Sequence, residues 1–222
     1  MTGEIKSLFL RGPAGKLEAL LNAGSEDASH TALVCHPHPL HGGTMHNKVV
    51  FNTMKALHNL GLPTLRFNFR GAGLSEGTHD RGRGEIDDVH AALQWLEREF
   101  RLPIIFAGFS FGAAVGLRAT CADERVTGVI ALGIPVEAGS RLYSYDFLRQ
   151  CIKPKLFVSG SRDQYGPLPE LENLIASIPE TKQLALVEGA DHFFQGKLEE
   201  VRSIIEQWVR ERLLARKEMR QR

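Results

Sequence analysis

Cysteine is scarce in this chain. Three occur in 222 residues, Cys35, Cys121 and Cys151. The number is odd, the spacing is wide and no CxxC pair is present, which excludes a disulfide framework and suits a reducing cytoplasm, the expected compartment. Charge of one sign is also missing: 27 Lys and Arg face 26 Asp and Glu, for a net charge of +1. So balanced a chain has no global pull toward nucleic acid or an anionic membrane. No apolar run reaches the ~18 residues a membrane span needs. The first residues, MTGEIKSLFLRGPAGK, place Glu4 and Lys6 before a short apolar run and lack a cleavage site, so they are expected to be mature protein rather than a signal peptide. Internal repeats, low-complexity tracts and linkers are absent. What remains is ordinary globular material, 43% hydrophobic and 24% charged, enough for one large core. The length predicts a single domain over residues 1–222, with a basic, frayed helix end over 213–222.

The dominant pattern alternates short β-rich runs with longer helical ones. Strands are expected at Thr31–Cys35, Pro63–Phe69, Pro103–Phe109, Val126–Leu132, Pro154–Val158 and Gln183–Val187. Helices are expected at Asn47–Leu60, Ile86–Phe100, Phe111–Cys121, Leu168–Ile178 and Leu198–Leu214, with a short one around Tyr145–Cys151. Ile86, Val89, Leu93, Leu96 and Phe100 recur every three or four residues, as one buried helix face requires. Strand-helix alternation implies a mostly parallel α/β sheet covered on both faces. Lys6–Leu10 and Lys16–Leu21 flank Gly12-Pro13-Ala14-Gly15 and read as an antiparallel hairpin at one sheet edge.

The most informative residues are Gly108-Phe109-Ser110-Phe111-Gly112, a GxSxG pattern. It follows a buried strand and opens a helix of small residues. A serine nucleophile must stand on a sharp strand-to-helix turn, which strains its backbone. Glycines two residues to either side remove side chains where strand and helix approach. The helix N-terminus aims amides at a developing oxyanion. The bare pattern arises by chance in about one chain in ten of this composition, so the strand-before, helix-after context carries the argument.

A serine hydroxyl needs a base, and the base needs an orienting carboxylate. After Ser110 only one histidine remains, His192, in Gly189-Ala190-Asp191-His192. It lies between a strand and the final helix, where a loop reaches the carboxyl rim of a parallel sheet. The acid candidate is Asp163, just past the strand KLFV, with Asp146, Glu137 and Asp191 as rivals. Asp146 falls in a helical stretch, Glu137 follows the preceding strand, and Asp191 adjoins the histidine and is poorly placed to reach its ring.

These residues resemble the α/β-hydrolase superfamily. Within it the chain looks like small, lidless bacterial esterase-like hydrolases near the dienelactone-hydrolase-like branch. The segments that carry the resemblance are His36-Pro37-His38-Pro39-Leu40-His41-Gly42-Gly43-Thr44-Met45, Asn68-Phe69-Arg70-Gly71-Ala72-Gly73-Leu74-Ser75-Glu76-Gly77, the turn at Ser110, Gly160-Ser161-Arg162-Asp163 and Gly189-Ala190-Asp191-His192. The resemblance implies an eight-stranded sheet and a Ser110–Asp163–His192 triad. Two departures stand out: dienelactone hydrolases proper carry a cysteine nucleophile, and the short connection after the sixth strand leaves no room for a large cap domain.

The resemblance also locates an oxyanion hole. One donor is expected from the amide of Phe111, the other from the loop after Thr31–Cys35. Pro37 and Pro39 have no N–H, so His38 is the nearest second donor and Leu40 the next. His36, His38, His41 and His46 lie close together, but Cys35 is the only other ligand type nearby and its strand position buries it. Loop-ordering hydrogen bonds are therefore expected rather than a metal, and no cofactor. Arg70 is expected to tie loops together rather than bind an anionic substrate. Leu40, Tyr143, Tyr145, Phe147 and Phe194 are expected as walls of an open, shallow pocket. The function expected is hydrolysis of small-molecule carboxylic esters of short to medium acyl chain, by a monomer or homodimer. A thioesterase or acyl-protein deacylase shares the triad, and a non-catalytic ligand receptor on this fold is the alternative from another class.

Overall fold

The computed structural model describes residues 4–138 and 141–215. An N-terminal hairpin, β1 (Ile5–Gly12) and β2 (Gly15–Asn22), forms one sheet edge. The strands β3 (Thr31–Cys35), β4 (Thr64–Phe67), β5 (Ile104–Phe109), β6 (Val126–Leu132), β9 (Lys155–Gly160) and β10 (Lys182–Val187) complete an eight-stranded sheet in the order β1-β2-β4-β3-β5-β6-β9-β10. The β1–β2 and β2–β4 pairs are antiparallel and the rest are parallel. A small antiparallel ribbon, β7 (Glu137–Ala138) with β8 (Arg141–Leu142), lies in the connection between β6 and β9. That connection holds no cap domain.

Because side chains alternate across a strand, each central strand feeds two cores. In β5, Ile104 and Phe106 enter one apolar layer, and Ile105, Ala107 and Phe109 enter the other. The first layer is closed by α2 (Gly84–Phe100), α3 (Phe111–Thr120) and α4 (Leu168–Ala176). The second is closed by α1 (Lys48–Asn59) and α5 (Leu198–Val209), which pack on each other as well as on the sheet. The helices follow their apolar stripes: Val49, Val50, Met54 and Leu57 are buried on α1, and Val201, Ile205, Trp208 and Val209 on α5. Asn47 caps α1 by accepting from the amide of Val49 at 2.9 Å.

Several element ends differ from the sequence expectation, three of them with a visible cause. The strand expected through Phe69 ends at Phe67, because the Phe69 amide turns to donate to His36 Nε2 at 2.9 Å. Around Tyr145–Cys151 only a short 3-10 turn forms, Asp146–Gln150, with the Tyr145 hydroxyl held on the Pro135 carbonyl at 2.7 Å. The last α-helix stops at Val209 and continues as a wider turn over Arg210–Leu214, in which Leu213 is buried against Gly128. Leu213, at the start of the expected frayed end, is thus packed, while residues 216–222 lie outside the described residues.

Candidate active site

Ser110 occupies the turn between β5 and α3, with φ 55° and ψ −120°. A left-handed φ on a non-glycine residue costs about 1–3 kcal/mol. Its surroundings hold it there. The Ser110 amide donates to Leu132 O on β6 at 2.9 Å, and the Ser110 carbonyl accepts from the Ala113 and Ala114 amides of α3. The flanking glycines are required by contact. A Cβ on Gly108 would sit 2.6 Å from Gly112 O, and one on Gly112 would sit 2.4 Å from His36 O. The turn is therefore wedged between its own helix and the loop that follows β3.

Two other rim loops converge on this serine. The loop after β10 brings His192 Nε2 to 3.0 Å from Ser110 Oγ. The loop after β9 brings both carboxylate oxygens of Asp163 to His192 Nδ1, at 2.9 and 2.8 Å. A carboxylate only accepts, so Nδ1 carries the ring proton and Nε2 faces the hydroxyl with a free lone pair. His192 and Asp163 are 3% and 4% exposed, which keeps water from competing for these bonds. Asp163 Oδ1 also accepts from the amides of Tyr165 at 2.8 Å and Gly166 at 3.3 Å, which fixes the carboxylate.

The two loops are tied to each other. The Arg162 amide donates to Ala190 O, the Ser161 amide to Val187 O, and the Gly189 amide to Ser161 Oγ. Asp191 accepts from the Phe193 and Gln195 amides, so this rival carboxylate shapes the histidine turn instead of facing the ring. Asp146 is exposed and accepts from the Ser144 hydroxyl; the side chain of Glu137 lies outside the described residues. The imidazole is packed on three sides, by Tyr165 (ring centroids 4.6 Å apart), Phe109 (5.0 Å) and Phe193 (5.2 Å).

The loop after β3 is ordered by its own histidines. His36 is fully buried; its Nδ1–H donates to Pro37 O at 2.6 Å and its Nε2 accepts the Phe69 amide. Burial pushes its pKa down to about 4, so it is neutral and structural. The His38 ring packs on Phe111, His41 and His79. Among the described residues no group of three or more His, Cys, Asp or Glu could hold a metal ion. Arg70 does not line the cavity over Ser110 and forms a buried fork with Asp88 on α2, at 2.9 and 2.7 Å. It links the loop after β4 to that helix.

A cavity of about 410 Å³ opens over Ser110. Phe111, the first residue of α3, and His38 both line it. The first amides of a helix have no partner within it, so the Phe111 N–H is available to a ligand. The Leu40 amide instead donates to His38 Nδ1 at 3.3 Å. Of the five expected wall residues, Tyr143 lines the cavity and four lie elsewhere. Leu40 points to solvent and is 67% exposed, Tyr145 is buried with its hydroxyl on Pro135, Phe147 faces Arg118, and Phe194 is anchored in the core beside Phe109. Pro135, Tyr165, Phe193, His41 and Asn47 also line the cavity. Tyr165 and Phe193 escaped the sequence reading although each adjoins a rim residue, Asp163 or His192; that adjacency was the available signal.

Comparison with known proteins agrees with this architecture. A family model described as an alpha/beta hydrolase domain matches residues 30–214. The chain belongs to the α/β-hydrolase superfamily. This α/β-hydrolase is similar to an α/β serine hydrolase homologue from Coxiella burnetii, with 39% identity, TM-score 0.84 and coverage of 93% of this chain and 97% of that one. It is also similar to a lidless α/β serine hydrolase from Xanthomonas campestris, with 34% identity, TM-score 0.84 and 94% of each chain covered. An uncharacterized protein of Rickettsia prowazekii is 32% identical over 91% of this chain and 87% of its own length. Family and fold together support a general serine-hydrolase or esterase activity for this α/β-hydrolase. No described helix is long and apolar enough to cross a membrane.

Proposed function

We propose that this protein is a cytoplasmic serine hydrolase that cleaves small-molecule carboxylic esters of short to medium acyl chain through a Ser110–His192–Asp163 triad. The observation that carries this reading is the unbroken chain of contacts from hydroxyl to imidazole to carboxylate, at 3.0 and 2.8 Å. His192 takes the Ser110 proton as Oγ attacks the ester carbonyl carbon. Asp163 holds the imidazole in the needed tautomer and balances the charge of the imidazolium. The amides of Phe111 and His38 hold the oxyanion of the tetrahedral intermediate; removing one such donor costs about 3 kcal/mol in the transition state. His192 returns its proton to the departing alcohol, and the acyl-enzyme is cleaved by a water that the same histidine activates.

The cavity supports the substrate size. A volume of about 410 Å³ without a cap admits a small acyl group and leaves the leaving group near solvent. The first test is labelling by a fluorophosphonate probe. The wild type is expected to label, and Ser110→Ala and His192→Ala are not. Labelling that survives Ser110→Ala overturns the assignment. A panel of p-nitrophenyl esters of increasing chain length, run beside the matching acyl thioesters, then reads chain length and leaving group. Faster turnover of the thioesters replaces the ester assignment while leaving the triad in place.

A further inference from the structure

The sheet order divides the residues that line the cavity. β3 lies on one side of β5, and β6, β9 and β10 lie on the other. The segment after β3 contributes His38, His41 and Asn47, whereas the segments after β6, β9 and β10 contribute Pro135, Tyr143, Tyr165 and Phe193. Two of these rings are left open beside the proposed base. Tyr165 is 37% exposed and Phe193 51%, while Phe109, the third ring packed on His192, is fully buried. Large rings left open at a cavity mark a ligand surface. Both are carried on fixed backbone. The Tyr165 amide donates to Asp163 Oδ1 at 2.8 Å, and its carbonyl accepts the Val136 amide at 2.9 Å. The Phe193 amide donates to Asp191 Oδ1 at 3.1 Å, and the left-handed φ of 52° at Phe194 sends that next ring into the core. The two rings therefore form a preformed seat, which lowers the ordering cost of a ligand.

We propose that Tyr165 and Phe193 seat the leaving alcohol and select alcohols with an aromatic ring next to the ester oxygen, phenols and benzyl-type alcohols. The inference rests on the triad reading above, because His192 ties the two rings to one half of the substrate. The leaving oxygen must come within hydrogen-bond reach of His192 Nε2, about 3 Å, to receive its proton. The centroids of Tyr165 and Phe193 lie 4.6 and 5.2 Å from that of the imidazole, and both rings line the cavity that holds Ser110 and His192. Whatever the leaving oxygen carries therefore starts beside these two rings. An aromatic ring there has edge-to-face or offset partners already in position, which an alkyl chain of equal size cannot use. The acyl half is attached to the carbonyl carbon rather than to the leaving oxygen, so this selection is separate from acyl chain length.

The experiment holds the acyl group constant. The full chain is given benzyl, cyclohexylmethyl and hexyl acetate, acid release is followed, and each rate is divided by that ester's alkaline hydrolysis rate. All three pass through one acetyl-enzyme, and the alcohol departs before that intermediate is cleaved, so alcohol selection is read in kcat/KM. Benzyl acetate is expected to exceed each of the other two by about tenfold, the contribution of two ring contacts. Phe193→Leu and Tyr165→Leu should each lower the benzyl-to-cyclohexylmethyl ratio by about two- to fivefold, and Phe193→Tyr, which keeps a ring, should retain it. The ratio of hexyl acetate to hexyl butyrate reads the acyl half and should not move in any of these variants. A benzyl-to-cyclohexylmethyl ratio near one in the wild type overturns the inference. So does a ratio that both leucine variants leave intact, or an acyl ratio that moves in place of the alcohol ratio. With Ser110→Ala inactive in the same assay, each of these outcomes leaves the triad reading standing. The absence of any Ser110-dependent turnover overturns both.

Discussion

Two histidines at the same sheet rim are both buried, and both ring nitrogens of each are hydrogen-bonded. His36 follows β3 and is bonded to backbone on both sides: it donates to the Pro37 carbonyl and accepts the Phe69 amide. His192 follows β10 and is bonded to side chains: it donates to the Asp163 carboxylate and accepts the Ser110 hydroxyl. The difference lies in what happens when a proton arrives. At His36 the incoming proton meets an N–H donor already occupying Nε2, in a dry site with a neutral acceptor opposite, so protonation breaks a loop. At His192 the proton comes from the bonded partner itself, and a carboxylate stands behind the ring to balance the charge. The same side chain is a structural pin in one loop and the proposed general base in the other, and its partners decide which.

The comparison breaks most sharply at the serine side. His192→Ala or Ser110→Ala is expected to lower kcat for a p-nitrophenyl ester by about 10⁴–10⁶-fold, whereas a folded His36→Gln protein should stay within about tenfold of wild type. Steady-state kinetics on purified proteins decides it, and comparable losses at the two histidines would erase the distinction. Asp163→Asn tests the charge behind the ring. It keeps the shape but removes the anion and favours the wrong tautomer, so kcat is expected to fall by about 10⁴-fold while the fold survives by circular dichroism.

Stability against pH sharpens the other half. The ordinary histidine pKa lies near 6.5, and His36 is pushed down to about 4 by burial. Between those values the unfolded chain binds a proton that the folded chain does not. The contribution of His36 is therefore complete above about pH 6.5 and is lost as pH falls toward 4, on the order of 3 kcal/mol in all. Denaturant melts at pH 7 and 4.5 should show His36→Gln losing less stability over that interval than wild type, although it starts lower because the Phe69 amide has lost its acceptor. The smallest effect concerns the packing of His192. Tyr165→Ala removes a ring whose edge-to-face contact contributes about 0.5–1.5 kcal/mol, so kcat should drop about two- to tenfold with fluorophosphonate labelling retained. An unchanged kcat would leave Tyr165 as cavity wall alone.

Much of the scaffold was legible because its signals are local. The GxSxG turn is dictated by sterics within five residues. The helices over Lys48–Asn59 and Gly84–Phe100 follow from apolar spacing. The single histidine after Ser110 left little choice for the proposed base, and the place of Asp163 just past a strand favoured it over Asp146, Glu137 and Asp191 as the proposed acid. The cavity wall was less legible. Tyr145, Phe147 and Phe194 carry the same apolar character as Tyr143 and Phe193, and only the path of the backbone separates wall from core. Phe194 takes a left-handed φ of 52° that turns its ring beneath Phe109, and this leaves its neighbour Phe193 facing the cavity.

Residue order by itself determined the alternation of strands and helices, the strained serine turn and the order of the rim loops, because each depends on backbone preferences and side-chain periodicity over a few positions. Tertiary structure alone decided which aromatic rings face the cavity and that Arg70 forms its fork with Asp88. Those contacts join elements far apart in the chain, and their geometry is set by how helices seat on a twisted sheet, which no local pattern encodes.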